Sequence, residues 1–195
     1  RHPFWPRLKV FLRDGATFPL QPISLEDRVA DLQHHLDRGN HKSATSPEGK
    51  ALVRKLLGDD ITHGFSLVLP ISSLSNLKHL GSIAPLGVQD QQSINELGEI
   101  IQKWRMTHDQ TYPGPSGLSV NKRKIEEDLP PCLYGRALCR LIHLVVKMRT
   151  EHPSTRILIG KFDLKAAYRR AHLSAATALE SMTIFDDLLH VSLRM

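Results

Sequence analysis

The chain has 195 residues, of which 41% are hydrophobic, and it carries a formal net charge of +6 at pH 7. This composition excludes a disordered or fibrous chain, and its apolar runs are too short for a membrane span of about 20 residues, so we expect no membrane partner. The basic balance favours polyanionic partners, nucleic acid above all.

Residues 1–60 are predicted to form a helical N-terminal extension. Ser24 precedes an acidic first turn and an apolar repeat at helical spacing, and Gly39-Asn40 is expected to end that helix. Ser46-Pro47 predicts a second helix, with proline at its first position, and Gly58-Asp59-Asp60 is expected to close it. The pattern here indicates core packing and no chemistry.

Residues 61–150 are predicted to hold a strand, a hairpin and the longest helix. Residues 65–69 form the predicted strand, which Pro70 stops. Extended runs at 93–95 and 100–105 flank a glycine-containing turn, which predicts a β-hairpin. The helix is predicted at 133–150, where apolar residues recur at intervals of three and four.

Residues 151–195 are predicted to belong mainly to a sheet. An apolar strand is expected at 157–162, in a central position of that sheet, and two further strands are expected at 181–184 and 188–193. Asp186-Asp187 between the last two is expected to be a turn. Because helices and short strands mix without a regular βαβ alternation, the predicted fold class is α+β.

The two cysteines bear on the cellular compartment. Cys132 and Cys139 are seven residues apart, which on a helix places them about 10 Å apart along its axis, too far for a disulfide. We therefore expect two reduced cysteines that pack inside an intracellular protein, in the cytoplasm or the nucleus. The start of the chain has no apolar leader, which agrees with that expectation.

The segment Lys161-Phe162-Asp163-Leu164-Lys165-Ala166-Ala167-Tyr168 carries the clearest chemical pattern. Asp163 ends the predicted strand, where a carboxylate on a rigid support can hold Mg²⁺ together with substrate phosphates. The small residues after it would let a nucleotide approach the backbone, and Tyr168 would pack against its sugar. The structural alternative is an Asp163 that caps a helical turn and a Tyr168 that lies in the core.

A second pattern, Lys103-Trp104-Arg105, lies on the second strand of the predicted hairpin. Alternation along a strand puts Lys103 and Arg105 on one face and Trp104 on the other. Two cations on a hairpin face can clamp a triphosphate, since arginine offers bidentate geometry. The alternative is an ordinary solvated strand face over a buried tryptophan.

In order and spacing, these two segments resemble the reverse transcriptases of retrotransposons. Lys103-Trp104-Arg105 with Asp109 is similar to the fingers motif of that family, in which the aspartate is structural. Phe162-Asp163 through Tyr168 is similar to its first catalytic palm motif. The resemblance implies a partial right-hand polymerase fold, with a fingers-like region at 61–150 and the start of a truncated palm at 151–195.

The resemblance also implies a role for each matching residue. Asp163 would be catalytic and a ligand of Mg²⁺, the cofactor of the complete enzyme, helped by the backbone carbonyl of Leu164. Tyr168 would disfavour a 2′-hydroxyl on the incoming nucleotide, and Lys103 and Arg105 would contact its triphosphate. Four further cations either meet template or primer phosphates or are ordinary surface charges: Lys122, Arg123, Arg169 and Arg170.

The implied function is that of a fragment of an RNA-directed DNA polymerase, which binds a template–primer and a dNTP and extends the primer 3′-hydroxyl. The later motifs of the family, above all an aromatic residue followed by x-Asp-Asp, do not occur in this sequence, since Asp186-Asp187 follows Phe185 directly. We therefore expect these residues alone to be inactive. The alternatives are a non-catalytic basic nucleic-acid-binding remnant and an unrelated α+β interaction domain. The sequence leaves the oligomeric state open.

Overall fold

The computed structural model describes residues 5–95, 97–128, 136–160, 169 and 171–194. The predicted α+β class is confirmed, because helices and short antiparallel strands are mixed along these ranges. The helices are α1 (Trp5–Asp14), α2 (Leu25–Arg38), α3 (Lys42–Thr45), α4 (Pro47–Thr62), α5 (Leu74–Leu77), α6 (Ala137–Glu151) and α7 (Ala175–Leu179). The strands are β1 (Ser66–Pro70), β2 (Leu86–Ile94), β3 (Ile100–His108), β4 (Met182–Phe185) and β5 (Leu188–Ser192).

Local capping explains the ends of α2. The Ser24 side chain accepts a hydrogen bond from the backbone N–H of Asp27 at 3.0 Å, which satisfies one of the open donors of the first turn. Gly39 ends the helix with φ of 69°, a conformation that glycine adopts at little cost. Both ends lie where the sequence predicts them.

Helix α4 begins as predicted and runs further than predicted. The Ser46 side chain caps it by accepting from the N–H of Gly49 at 3.0 Å, with Pro47 at the first position. The helix continues through Gly58 to Thr62, so the predicted end at 58–60 is wrong. An interior glycine costs about 1 kcal/mol relative to alanine, which is small beside the packing of the preceding turns.

The structure contains two separate antiparallel sheets in its described part. One has three strands in the order β1-β5-β4, so the strand after α4 pairs with a strand more than a hundred residues later. Within it, β4 and β5 form the hairpin expected from 181–184 and 188–193. Asp186 and Asp187 make its two-residue turn with φ of 48° and 58°, which confirms the predicted turn.

The second sheet is the predicted hairpin, β2 paired with β3, and it is longer than the sequence indicated. Nine residues of each strand pair, from Leu86↔His108 at the base to Ile94↔Ile100 at the turn. The base is tied to the rest of the molecule by the side chains of Asn40, in the α2–α3 connection, and Ser43, in α3. The N–H of Leu86 donates to Asn40 at 2.8 Å, and the N–H of Val88 donates to Ser43 at 3.0 Å.

Two hydrophobic cores hold these layers together. The first lies on one side of the three-stranded sheet and contains Leu32, Leu74, Ile83, Ala178, Met182, Leu189 and Val191. The second lies between α4, the base of the hairpin and β4, and contains Ala44, Val53, Leu57, Leu86, Val88 and Phe185. Each core draws on the beginning, middle and end of the chain, so the boundaries expected at residues 60 and 150 do not separate the cores.

The connection between α6 and the last sheet differs from the sequence expectation. Residues 157–160 form no strand, and Leu158 and Ile159 are 75% and 66% exposed, so the predicted strand is wrong over these residues. Among the described residues, no strand pairs with them to satisfy their backbone groups. The remaining predicted positions, 161 and 162, lie outside the described residues.

Helix α6 forms where an apolar repeat predicts it, but it buries none of its residues. Leu138 at its first turn is 70% exposed. Cys139 is likewise exposed and free, so it does not pack in a core as expected, and Cys132 lies outside the described residues. Along the described ranges, no helix is long and apolar enough to cross a membrane.

Candidate nucleic-acid interface

The hairpin β2–β3 presents two cations on one face. Lys103 lies opposite Gln91 and Arg105 lies opposite Gln89, so both cations face the same way, as the alternation predicts. Both side chains are exposed, and neither takes part in any ion pair among the residues that the structure describes. Two unpaired cations flanked by amides can bind phosphate oxygens without first breaking an internal contact.

Trp104 lies on the opposite face of the hairpin, across from Asp90. It is 45% exposed, and it lines a surface groove with Leu52 and Val88 beside the start of α4. The alternative expected a solvated cationic face over a buried tryptophan. The cationic face is solvated, but the Trp104 side chain is only partly buried.

Asp109 fixes the chain where the hairpin enters the body of the molecule. Its carboxylate accepts from the N–H of Thr111 at 3.1 Å and lies 3.0 Å from Nε2 of His41. A guanidinium nitrogen of Arg38 lies 3.2 Å from Nδ1 of the same imidazole. Because a guanidinium only donates, Nδ1 accepts and Nε2–H donates to Asp109. Asp109 therefore anchors the foot of the hairpin to the α2–α3 connection.

His108 lies at the base of the hairpin, in a cavity that Asp60 and Arg169 also line. Burial lowers the pKa of His108 to about 4; the nearby Asp60 carboxylate acts against that change and the Arg169 guanidinium acts with it. The imidazole is therefore neutral at pH 7 and contributes no positive charge to the interface.

Arg169 is held by internal partners. Its guanidinium pairs with the Asp60 carboxylate and lies 5.3 Å from the centre of the Phe65 ring. About two fifths of the side chain remains exposed, at 39%. A phosphate contact at Arg169 would have to compete with Asp60, so Arg169 is a weaker candidate than the two hairpin cations.

Arg123 is buried, and this position corrects its expected role as a phosphate contact. Its side chain is 3% exposed and donates to the Glu180 carboxylate at 2.5 Å. Arg28 donates to the other carboxylate oxygen at 2.9 Å, and the Ser82 hydroxyl donates at 2.6 Å. Because its guanidinium pairs with the buried Glu180 carboxylate, Arg123 links two distant segments of the chain and does not face solvent.

The electrostatics of this network favour the charged carboxylate. Burial by itself raises the pKa of Glu180, but hydrogen bonds from Arg28, Arg123 and Ser82 outweigh it and hold that pKa below its ordinary value. Sequence reasoning missed Glu180 and Arg28. No local signal identifies them, because the partners are 57 and 152 residues apart along the chain.

Lys122 is exposed and donates to the backbone carbonyl of Gly117 at 3.0 Å, which leaves its ammonium group open to solvent. It stays a candidate phosphate contact. Four of the sequence-predicted site residues lie outside the described residues: Asp163, Leu164, Tyr168 and Arg170.

A magnesium site needs several oxygen ligands that converge on one point. Among them, no group of three or more His, Cys, Asp or Glu residues could hold a metal ion. Asp60 and Glu180 are both engaged by arginines, which leaves neither carboxylate available as a ligand. The described residues therefore form no Mg²⁺ site, and the expected ligands Asp163 and Leu164 lie outside the described residues.

Comparison of the chain with protein-family models, with curated proteins and with solved structures finds no match.

Proposed function

We propose that these residues are the fingers and the first palm part of an RNA-directed DNA polymerase of the retrotransposon type. In this proposal the face of the β2–β3 hairpin that carries Lys103 and Arg105 contacts the triphosphate of the incoming dNTP. Lys122 meets a phosphate of the template or primer. The right-hand polymerase architecture, the Mg²⁺ requirement and the roles of Asp163 and Tyr168 belong to the same proposal and rest on the sequence resemblance.

One observation supports the proposal best. The register of the hairpin puts Lys103 and Arg105 on one exposed face, two residues apart, while Asp109 at the foot of the strand is bound to His41. Successive residues on one strand face are about 7 Å apart. Two cations at that spacing can reach different phosphates of a triphosphate, and the anchored foot keeps the strand in position for them.

The chemistry that Mg²⁺ supplies to such enzymes is charge stabilisation at the transferring phosphoryl group. The part played by the described residues is binding and orientation. Guanidinium and ammonium groups on the hairpin hold a polyanion, and the amides of Gln89 and Gln91 beside them are neutral donors. Binding is therefore the activity that this chain allows to be tested directly.

The test is the binding of an RNA template annealed to a labelled DNA primer with a dideoxy 3′ end, followed by fluorescence anisotropy. We expect MgCl₂ with the dNTP complementary to the next template base to tighten binding, and a mismatched dNTP to leave it unchanged. The double variant Lys103→Ala/Arg105→Ala should lose this dNTP effect. In the variant Asp163→Asn, binding of the template–primer should no longer change when MgCl₂ is added with the dNTP.

The matched control is Arg7→Ala/Lys78→Ala, which removes one exposed arginine and one exposed lysine from other elements and leaves the same net charge. It should keep the dNTP effect. Salt-sensitive binding that no dNTP tightens would replace the proposal with the non-catalytic nucleic-acid-binding remnant. An absence of nucleic-acid binding would leave an α+β interaction domain.

A further inference from the structure

The turn of the β2–β3 hairpin exposes an apolar tip, which we define as Ile94, Leu97 and Ile100. Their exposed fractions are 70%, 82% and 70%, although each is a large aliphatic side chain. The N–H of Val88 donates to Ser43 of α3, and Val88 lies six residues before Ile94. At about 3.3 Å per residue the tip therefore stands about 20 Å beyond this attachment.

The hairpin tip carries charges that limit what it can bind. Glu99 lies in the turn, with its carboxylate held by the side-chain amide of Asn95 at 2.8 Å. A carboxylate here repels phosphates, so the backbone of a nucleic acid does not fit the tip itself. The cations begin three residues further along β3, at Lys103, which is about 10 Å from Ile100.

This order of apolar and cationic groups fits the end of a base-paired duplex. The flat face of a terminal base pair is apolar and carries no phosphate, and aliphatic side chains are used by other proteins as wedges between base steps. Phosphates follow along each strand at about 3.4 Å per step, so cations about 10 Å behind a wedge are in reach of charged groups beside it. Charge complementarity therefore selects nucleic acid over an apolar protein surface.

We propose that the hairpin tip stacks on the first base pair of a duplex that lies ahead of the primer end. The preferred substrate is then a template that is already paired downstream, as in a gapped duplex or a folded RNA, and not a single-stranded template alone. This inference rests on the proposed function, because it takes the cationic face of the same hairpin as the phosphate-binding surface.

The experiment compares two labelled substrates that share one template and one primer. The first has a single-stranded template overhang, and the second carries a downstream strand that leaves a gap of a single nucleotide. The wild-type chain should bind the gapped substrate roughly tenfold more tightly, since burial of one large aliphatic side chain against the base pair contributes about that much. The tip variant Ile94→Ser/Leu97→Ser/Ile100→Ser should bind both substrates equally, at the affinity of the overhang.

The matched control is Leu25→Ser/Leu80→Ser/Leu138→Ser, which removes three exposed leucines from other parts of the chain. It should keep the preference for the gapped substrate. Thermal unfolding followed by circular dichroism should show the tip variant folded, because none of its three side chains is buried.

Three results would overturn the inference. They are equal wild-type affinity for both substrates, a preference that survives in the tip variant, and a wild-type dimer in sedimentation that the tip variant abolishes. The last would make the tip a contact between copies of the chain. In each case a tightening of binding by the complementary dNTP that is lost in Lys103→Ala/Arg105→Ala would leave the proposed function standing. Failure of the proposed function itself would appear as binding that no dNTP tightens, or as no binding to either substrate.

Discussion

The two hairpins of the molecule have the same antiparallel pairing and opposite surroundings. In the β4–β5 hairpin, Met182, Thr183 and Leu189 have no exposed surface, and β5 also pairs with β1, the third strand of the sheet. In the β2–β3 hairpin only the base is covered, and the turn end stands in solvent. The first hairpin is part of the core, whereas the second is held at one end and presents its side chains.

This difference places the residues that stabilise the fold in the β4–β5 hairpin and the residues proposed to bind a substrate in the β2–β3 hairpin. Side chains that are buried on a sheet are constrained by volume and hydrogen bonding, so a change there costs folding free energy. Side chains on a projecting hairpin are free to contact a partner, and changes there leave the fold largely intact. The following predictions test this separation, in order of decreasing effect.

The largest effect is expected at Glu180, directly before the buried hairpin. The change Glu180→Ala leaves Arg28 and Arg123 as buried cations without a partner and should lower the free energy of unfolding by about 3–5 kcal/mol. Urea denaturation measures it. The exposed pair between Lys124 and Glu126 provides the comparison, because Glu126→Ala should change the value by less than about 1 kcal/mol. Equal effects at the two sites would contradict the account.

The next largest effect is expected from core packing, which should make truncation of a side chain more costly in the β4–β5 hairpin than at the tip of the β2–β3 hairpin. Leu189→Ala opens a cavity beside Met182 and should cost about 2–5 kcal/mol. Ile100→Ala at the exposed tip should stay within about 0.5 kcal/mol of the wild type. The same urea titration compares both variants. A cost at Ile100 above about 2 kcal/mol would mean that the tip is covered in solution.

Mild acid should weaken the base of the β2–β3 hairpin. The pKa of His108 is about 4 in the folded chain, and an unfolded histidine titrates near 6.5, so between these values the unfolded state binds more protons. Stability due to this group is present above pH 6.5 and falls as the pH is lowered towards 4, by about 3 kcal/mol at most. Burial lowers the pKa of His35 and His190 as well, which adds to the slope in the same direction.

The check is the free energy of unfolding from pH 7 to pH 4.5. His108→Gln should flatten the dependence, and the exposed His79→Gln should leave it unchanged. Stability that rises as the pH falls through this range would contradict the assigned burial.

The smallest effects concern the turns. Asp187 has a positive φ, and glycine adopts this conformation more easily, so Asp187→Gly should stabilise the buried hairpin by about 0.5–1 kcal/mol. Gly98 in the other turn has φ of 81°, and Gly98→Ala should destabilise by about 1 kcal/mol. Thermal melts of both variants show the sign. Two changes of the same sign would show that the turns are not in these conformations.

Local signals were sufficient for elements whose physical cause is local. Ser24 and Ser46 cap helices because a hydroxyl meets an open N–H three residues later, and this is visible in any window of sequence. The facing of Lys103 and Arg105 follows from the period of a strand. These features were predicted correctly and include the part of the candidate site that the structure shows.

Long-range partners account for what sequence reasoning missed. Arg123 resembles any basic surface residue until Glu180, far along the chain, is placed beside it. Residues 157–160 have the composition of a strand, but a strand needs a neighbour, and composition does not supply one. The pairing of β1 with β5 depends in the same way on residues that no local pattern connects.

The central claim is that the projecting hairpin, and not the buried one, holds the phosphates of the substrate. The most direct measurement uses a template–primer with Mg²⁺ and a complementary dNTP that carries a photoreactive group on its γ-phosphate, followed by peptide mapping of the labelled chain. The account predicts label on residues 100–108, and loss of that label in Lys103→Ala/Arg105→Ala. Label that falls on residues 182–192, or that is unaffected by the double variant, would contradict it.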